Sequence, residues 1–366
     1  MKNPLKKSFM LALSLLMASG ALSYADVTVS RISGKDRYET AMKVDKDCFW
    51  TDGNRSKLAV ISNGEIFRES LYGSHIASSL GAHFYPTVKG YISKAILNEI
   101  KSSGVKYVYV MGTYNQLSKS IDNTLKSNGI EVIRLFDGKY MYDMKRPIDD
   151  LVSIVIYESI KKNNPYGDIA SSIIINDSKF PDVVAAVPFA SRLSYSSGLH
   201  LYSSRYYDNS NYGNVSGAHF IIGGFSSVPR RFTTGYEDSE LGLNEVSSDS
   251  RSSDIAWNYT GRLAGRDRYE TAVKIAEAYP YVFKTNYNAA IIVSGENYAD
   301  ALSSSLESVF NKCPILLTER NRLNQYTKKY LMENGIEHAI IVGGENSVSK
   351  NAENELKTVL DSNKNK

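Results

Sequence analysis

The sequence predicts an α/β protein built from three repeated units, each a parallel sheet flanked by helices. Two observations predict it. Gly34-Lys35-Asp36-Arg37-Tyr38-Glu39-Thr40-Ala41 returns as Gly265-Arg266-Asp267-Arg268-Tyr269-Glu270-Thr271-Ala272, and a run this long marks internal duplication. Downstream of each copy, a β-branched run gives way to a helix-spaced segment and then to further apolar strands. That alternation of strand and helix points to parallel sheets covered by helices.

Residues 1–25 have the pattern of an export signal. Lys2, Lys6 and Lys7 precede an apolar stretch at 9–18, and Ser23-Tyr24-Ala25 supplies small residues for cleavage. The apolar stretch is shorter than the ~20 residues that cross a bilayer, and no later segment is apolar enough to span. Removal of the signal is expected, with the mature chain starting near Asp26.

The first repeat is expected at 27–133. Leu58-Ala59-Val60-Ile61-Ser62 is its strand, a helix-forming segment follows Asn63-Gly64-Glu65, and 107–112 is a strand ending in glycine. The last repeat, 262–366, aligns with it. There the strand is Ala289-Ala290-Ile291-Ile292-Val293-Ser294, the helix follows Gly295-Glu296-Asn297 and contains Asp300, and 339–344 is the strand ending in Gly343-Gly344. A more diverged copy occupies 134–261. Ser172-Ile173-Ile174-Ile175 matches the strand, Asp182 matches Asp300, and His219-Phe220-Ile221-Ile222-Gly223-Gly224 matches the glycine-ended strand. Arg134-Leu135 keeps the head of the motif, but Tyr140 and Met141 replace the Asp-Arg pair. This middle copy carries a loop insertion at about 229–257, within which 237–254 is rich in Ser, Asp and Glu without apolar period, and reads as an exposed or partly disordered excursion.

Charge and cysteine content narrow the function. The chain has 43 basic and 39 acidic residues; without the three signal lysines the balance is nearly neutral, so no general basic field for nucleic acid or anionic membrane exists. Two cysteines, Cys48 and Cys313, exclude a disulfide scaffold. Both read as small buried residues, and a bridge between them stays open.

The repeated motif has a local physical meaning. Asp36 and Asp267 stand as helix N-caps with Glu39 and Glu270 three residues on, the capping-box spacing, and Gly34 and Gly265 permit a tight strand-to-helix joint. Tyr38, Ala41 and Val44, like Tyr269 and Ala272, form an apolar stripe. Arg37 and Arg268 do not fit that account. An arginine beside the positive end of a helix needs a partner, either a carboxylate on a neighbouring unit or an anionic ligand held in its fork. No zinc spacing among His75, His83, His200, His219 and His338, no nucleophile elbow and no phosphate loop is present. An enzyme is therefore not expected, and neither a metal nor a cofactor.

Residues 262–272 together with Tyr298-Ala299-Asp300-Ala301-Leu302, Pro314-Ile315-Leu316-Leu317 and Ile341-Val342-Gly343-Gly344 resemble the type 2 cell-wall-binding repeat of clostridial and related Gram-positive surface proteins. The resemblance covers essentially all of 27–366. It implies Toprim-like repeats packed as an intrachain pseudo-trimer, location at the cell wall or surface layer, and non-covalent anchoring to an anionic, teichoic-acid-like wall glycopolymer, with other surface-layer proteins as further partners. It also implies that Pro314, Ile315, Leu316 and Leu317 serve polymer attachment; His83-Phe84-Tyr85-Pro86 and Leu199-His200-Leu201-Tyr202 replace them in the other repeats. Plain core packing is the competing reading of that strand. Together with Arg37, Arg266 and Arg268, these are the polymer-binding candidates. A secreted wall protein without a separate effector domain is expected, the alternative being an amidase-like peptidoglycan hydrolase or an accessory factor of one.

Overall fold

We describe the chain from a computed structural model, which defines residues 27–49, 56–135, 148–161, 172–197, 200–205, 219–234, 241–246, 255–256 and 258–363. The export-type segment and most of the stretch 237–254 lie outside these residues.

The elements alternate as the sequence predicts. β1 (Thr28–Ile32) and α1 (Arg37–Phe49) are followed by β2 (Leu58–Asn63), α2 (Phe67–Leu80), β3 (His83–Thr87), α3 (Lys94–Ser102), β4 (Tyr107–Val110), α4 (Lys119–Ser127) and β5 (Glu131–Arg134). The middle of the chain contributes α5 (Ile148–Lys161), β6 (Ser172–Ile175), α6 (Phe180–Val183), α7 (Ala186–Ser197), β7 (His200–Ser203), β8 (Phe220–Ile222), β9 (Gly242–Glu245) and β10 (Tyr259–Leu263). The last part holds α8 (Arg268–Val282), β11 (Ala289–Ser294), α9 (Tyr298–Phe310), β12 (Ile315–Thr318), α10 (Gln325–Glu333), β13 (His338–Val342) and α11 (Lys350–Asn363).

Three sheets result, ordered β3-β2-β4-β5, β7-β6-β8-β10-β9 and β12-β11-β13-β1. All pairs are parallel except β9 with β10. Each sheet is completed by a strand at a repeat boundary: β5, which ends on Arg134, joins β4, and β10, which carries Arg262, joins β8. β1, heading the first, closes the circle on β13, with Thr28 opposite His338 and Ile32 opposite Val342.

Arginine locks each exchange. Arg31 donates from Nη1 to the Gly343 carbonyl (2.7 Å) and from Nη2 to Glu353 (2.7 Å). Arg134 repeats this on the Gly112 carbonyl (2.7 Å) and Asp122 (2.5 Å). Arg262 reaches the carbonyls of Gly223 (3.1 Å), Val228 (2.8 Å) and Phe232 (2.9 Å). The receiving glycines have φ of 115°, 110° and 124° at Gly112, Gly223 and Gly343, a region that suits glycine; the turn they make aims the carbonyl at the incoming guanidinium. Hydrogen bonds are what allow Arg134 and Arg262 to be buried and Arg31 to be largely covered.

The centre of the molecule is a bundle of α2, α7 and α9, one helix from each repeat. These helices are rich in Ser, Ala and Gly, and most of their residues are buried. Small side chains let three helices approach closely, and the hydroxyls bond to backbone or across the seam. Ser303 and Ser304 donate to the carbonyls of Asp300 and Ala301. Ser74 donates to the Leu302 carbonyl (2.6 Å), Ser191 Oγ lies 2.9 Å from His75 Nδ1, and Tyr72 donates to Asp177 (3.2 Å). The strands are buried on both faces: Ile291 and Val293 belong to the central core, Ile292 to an outer core under α8, α10 and α11, which is why they read as continuous apolar runs.

Part of the expected excursion at 237–254 is ordered as strand. Gly242–Glu245 pairs antiparallel with β10, covering the edge of that sheet; with only Gly-Leu-Asn-Glu it has too little apolar pattern to announce itself. Cys48 and Cys313 are both free and buried. Cys48 sits 3.2 Å from Glu307 Oε2 rather than from the other cysteine.

Candidate functional site: the strand-to-helix joints and the central axis

The joint between β1 and α1 and that between β10 and α8 have the same geometry. Asp36 Oδ1 accepts from Glu39 N (2.8 Å), and Asp267 Oδ1 accepts from Tyr269 N and Glu270 N (both 2.9 Å). Glu39 and Glu270 reach back one residue beyond the N-cap, to the amides of Lys35 (3.3 Å) and Arg266 (2.6 Å), a variant of the reciprocal box. Thr40 and Thr271 accept from the amides of Gly34 (3.0 Å) and Gly265 (3.1 Å). This folding back demands glycine: an added Cβ would lie 2.5 Å from Glu39 Cβ at position 34 and 2.4 Å from Glu270 Cβ at position 265.

The joints then grip the next loop. Tyr38 and Tyr269 lay their rings against Gly64 and Gly295, where a Cβ would come within 2.8 and 2.6 Å of the ring. Burial, then the charges of nearby Glu65 and Glu296 respectively, push both phenols above their ordinary range. Arg37 Nη1 donates to the Gly64 carbonyl (2.7 Å) and Arg268 Nη1 to the Gly295 carbonyl (2.6 Å).

Neither arginine has an ion pair among the described residues. The carboxylate partner that sequence reasoning allowed is replaced by a backbone carbonyl and an aromatic face. The Arg37 guanidinium lies 5.8 Å from the centre of the Tyr298 ring, and that of Arg268 lies 5.6 Å from the Phe180 ring, within cation–π range. Tyr298 in turn donates to the Glu65 carbonyl (3.1 Å), tying the last repeat to the first.

Phe67, Phe180 and Tyr298 are the first residues of α2, α6 and α9, at equivalent places in the three repeats. Their rings meet on the pseudo-threefold axis with centres 5.3, 5.9 and 6.1 Å apart at interplanar angles of 66°, 57° and 70°. All three are half-buried. Two residues further on stand Glu69, Asp182 and Asp300. Gln116 donates to Glu69 (2.6 Å) and Ser347 to Asp300 (2.6 Å), while Ser227 hydrogen-bonds Asp182. Burial pushes the Asp182 and Asp300 carboxyls up, against the pull of those serines and of Arg268 and Arg37.

Sequence reading missed this aromatic triad. The signal that could have found it is aromatic-x-acid at one register in all three repeats: Phe67-Arg68-Glu69, Phe180-Pro181-Asp182, Tyr298-Ala299-Asp300.

The other candidates lie elsewhere. Arg266 is exposed on the joint of the last repeat. Pro314 is buried, and Ile315, Leu316 and Leu317 are 1%, 0% and 1% exposed. Ile315 and Leu317 face the central core and Leu316 the outer one, so their side chains face no solvent and have no surface to offer a polymer. In the first repeat the matching strand carries a buried polar network instead: Asp45 accepts from Tyr85 Oη (2.6 Å) and pairs with His83 Nδ1 (2.8 Å). Among the described residues there is no group of three or more His, Cys, Asp or Glu placed to hold a metal, and no helix long and apolar enough to cross a membrane.

The sequence pattern of the family described as Cell wall binding domain 2 (CWB2) fits residues 31–122 and 262–353, together half of the chain. The chain belongs to this family. Both fitted CWB2 regions begin on the exchanged strand, at Arg31 and Arg262, and contain the joint, the aromatic residue and the acid. Among solved structures, Cwp6 from Clostridium difficile is similar with a TM-score of 0.64 at 17% identity, over 90% of this chain and 48% of that one. Cwp8 from the same organism matches with a TM-score of 0.64 at 18% identity, over 98% of this chain and 55% of that one. At that identity the likeness is one of fold. Two curated proteins of Bacillus subtilis (strain 168) share sequence: N-acetylmuramoyl-L-alanine amidase LytC, 35% identical over 105 residues, and Amidase enhancer, 31% identical over 99. These stretches are 29% and 27% of this chain, which spans only 20% and 14% of the two relatives' lengths. CWB2 membership associates the chain with the cell wall.

Proposed function

We propose that this is an exported wall protein, delivered by residues 1–25, whose three repeats hold an anionic wall glycopolymer non-covalently and perform no catalysis. The observation that carries the reading is the recurrence of Arg37 on Gly64 and Arg268 on Gly295, each guanidinium over an aromatic ring of another repeat and free of an ion pair among the described residues. A charge held this way, at the positive end of a helix, favours an anion. Arg266 adds charge at the same joint. On this reading β12 supports polymer attachment from inside the fold, by holding the helices in place, and makes no contact of its own.

The test is retention of the mature protein on Gram-positive cell walls before and after chemical extraction of the wall glycopolymer. Retention on intact walls, weakened by salt because screening weakens exposed charge, supports the proposal. Equal retention on extracted walls overturns it. The names of the two curated relatives make a lytic role the competing reading; release of soluble peptidoglycan fragments by the purified protein would establish that instead.

A further inference from the structure

Resting on the wall-polymer reading, we propose that the pseudo-threefold axis is one composite site for a single anionic sugar unit, so that the chain binds one such unit and not three. Three features of the axis lead there.

First, the aromatic cluster is not sealed. Phe67, Phe180 and Tyr298 touch one another with centres no more than 6.1 Å apart, yet all three stay half-buried. Burial of such rings is strongly favourable, so a cluster serving cohesion alone would be covered. With centres no more than 6.1 Å apart, the three rings form one patch and not three separate ones.

Second, donors stand at its rim. A guanidinium carries five N–H groups; among the described residues only Nη1 of Arg37 and of Arg268 is used, each on one carbonyl. The neighbouring acids do not quench them by direct pairing, because Asp300 is held by Ser347 and Asp182 by Ser227. Aromatic faces with flanking guanidiniums suit a sugar ring bearing a phosphate or a carboxylate, the fork meeting the anion and the rings meeting the apolar face of the sugar.

Third, the sequence does not supply the arginine three times: the first and last repeats have Arg37 and Arg268, whereas the middle repeat has Tyr140 and Met141 at the corresponding position. Two equivalent arginines beside one shared aromatic cluster are not expected of three equal sites.

The test titrates the full mature chain with glucose 1-phosphate and with glucuronate, by calorimetry or ligand-observed NMR, with glucose and inorganic phosphate as controls. The two anionic sugars separate phosphate from carboxylate as the preferred anion. One equivalent of at least one anionic sugar is expected, with glucose and phosphate each binding at least tenfold more weakly. Arg37→Gln with Arg268→Gln should weaken binding tenfold or more. Lys329→Ala, at an exposed position on α10, should bind as the parent does; Phe180→Leu should weaken binding severalfold at unchanged circular dichroism, which separates site chemistry from loss of fold. Three equivalents, unchanged binding in the double arginine variant, or no binding of either anionic sugar at tens of millimolar overturns the axial site. The wall assay tells the two claims apart: if parent and double variant are retained equally on intact walls and equally lost from extracted ones, the axial site fails and the wall reading stands. If the parent is not retained on intact walls, the wall reading itself fails.

Discussion

Arg31 and Glu353, 322 positions apart, meet through two hydrogen bonds of 2.7 and 3.2 Å, and the Arg31 side chain also takes the Gly343 carbonyl. This contact fastens β1 and α1 to the far end of the chain. Arg31→Gln removes the charge and leaves that carbonyl poorly satisfied, at an expected cost of about 2 kcal/mol. Lys350→Ala, which touches the same carboxylate from an exposed position, should cost less than about 0.5 kcal/mol. Urea unfolding of the two variants checks the difference; equal losses would mean that Glu353, not the strand closure, sets the effect.

The joints make a sharper demand. Gly265→Ala places a methyl 2.4 Å from Glu270 Cβ and 2.6 Å from Glu270 backbone carbon, a clash that no side-chain rotation relieves. The expected loss is about 2–3 kcal/mol, read as a fall in Tm. Ala at Gly344, where nothing lies within 4 Å of the added carbon, is the control and should leave Tm nearly unchanged.

Stability should peak in mildly acidic solution and fall on both sides. Burial, then the charge of Asp47, pushes Glu307 up to about 7. The folded state therefore holds a proton that the unfolded chain releases near pH 4.5, and stability is lost as pH rises from there through about 7, by about 3 kcal/mol at most. Glu353 has the opposite sign. Burial alone would raise it, but hydrogen bonds from Lys357, Arg31 and Lys350 bring it down to about 2, so its contribution is full above pH 4.5 and is lost as pH falls toward 2. Unfolding free energies from pH 3 to 8 check both: Glu307→Gln should flatten the neutral limb, Glu353→Gln the acid limb.

Leu316→Ala and Arg268→Gln should separate support from contact. The first opens a cavity at a fully buried site and costs about 3 kcal/mol of stability; the fraction that remains folded in the cold should still bind walls. The second removes one carbonyl hydrogen bond and one ring contact, costs about 1 kcal/mol, and should lower wall retention at full foldedness. The reverse pattern would place contact on β12.

Much of the fold is legible in the sequence because each repeat obeys local rules. Ile291-Ile292-Val293 reads as a strand from its short β-branched run, and Asp267 with Glu270 announces the start of α8. What is not legible is non-local. Nothing in Arg31-Ile32 says that β1 belongs beside Ile341 and Val342, since the edge a strand joins depends on parts of the chain not yet read. The burial of the central helices is non-local too: Ser303, Ser304 and Ser305 are buried because close packing about an axis selects small residues over apolar ones. At the site, Arg37 and Arg268 stood out as helix-end charges without local purpose, and the structure leaves them without ion pairs among the described residues. Arg31, Arg134 and Arg262 were equally visible and are kept in all three repeats. Their constancy is explained by strand exchange.

The pairing of β1 with β13 makes a closed circuit of an open chain. Thr28 to Ile32 occupy the edge of a sheet whose other strands lie more than 250 residues away, so the last sheet is complete only when both ends of the chain are present. Cleavage between the ends would leave the strands in place, whereas loss of the first few residues of β1 would bare an edge at the far end of the molecule.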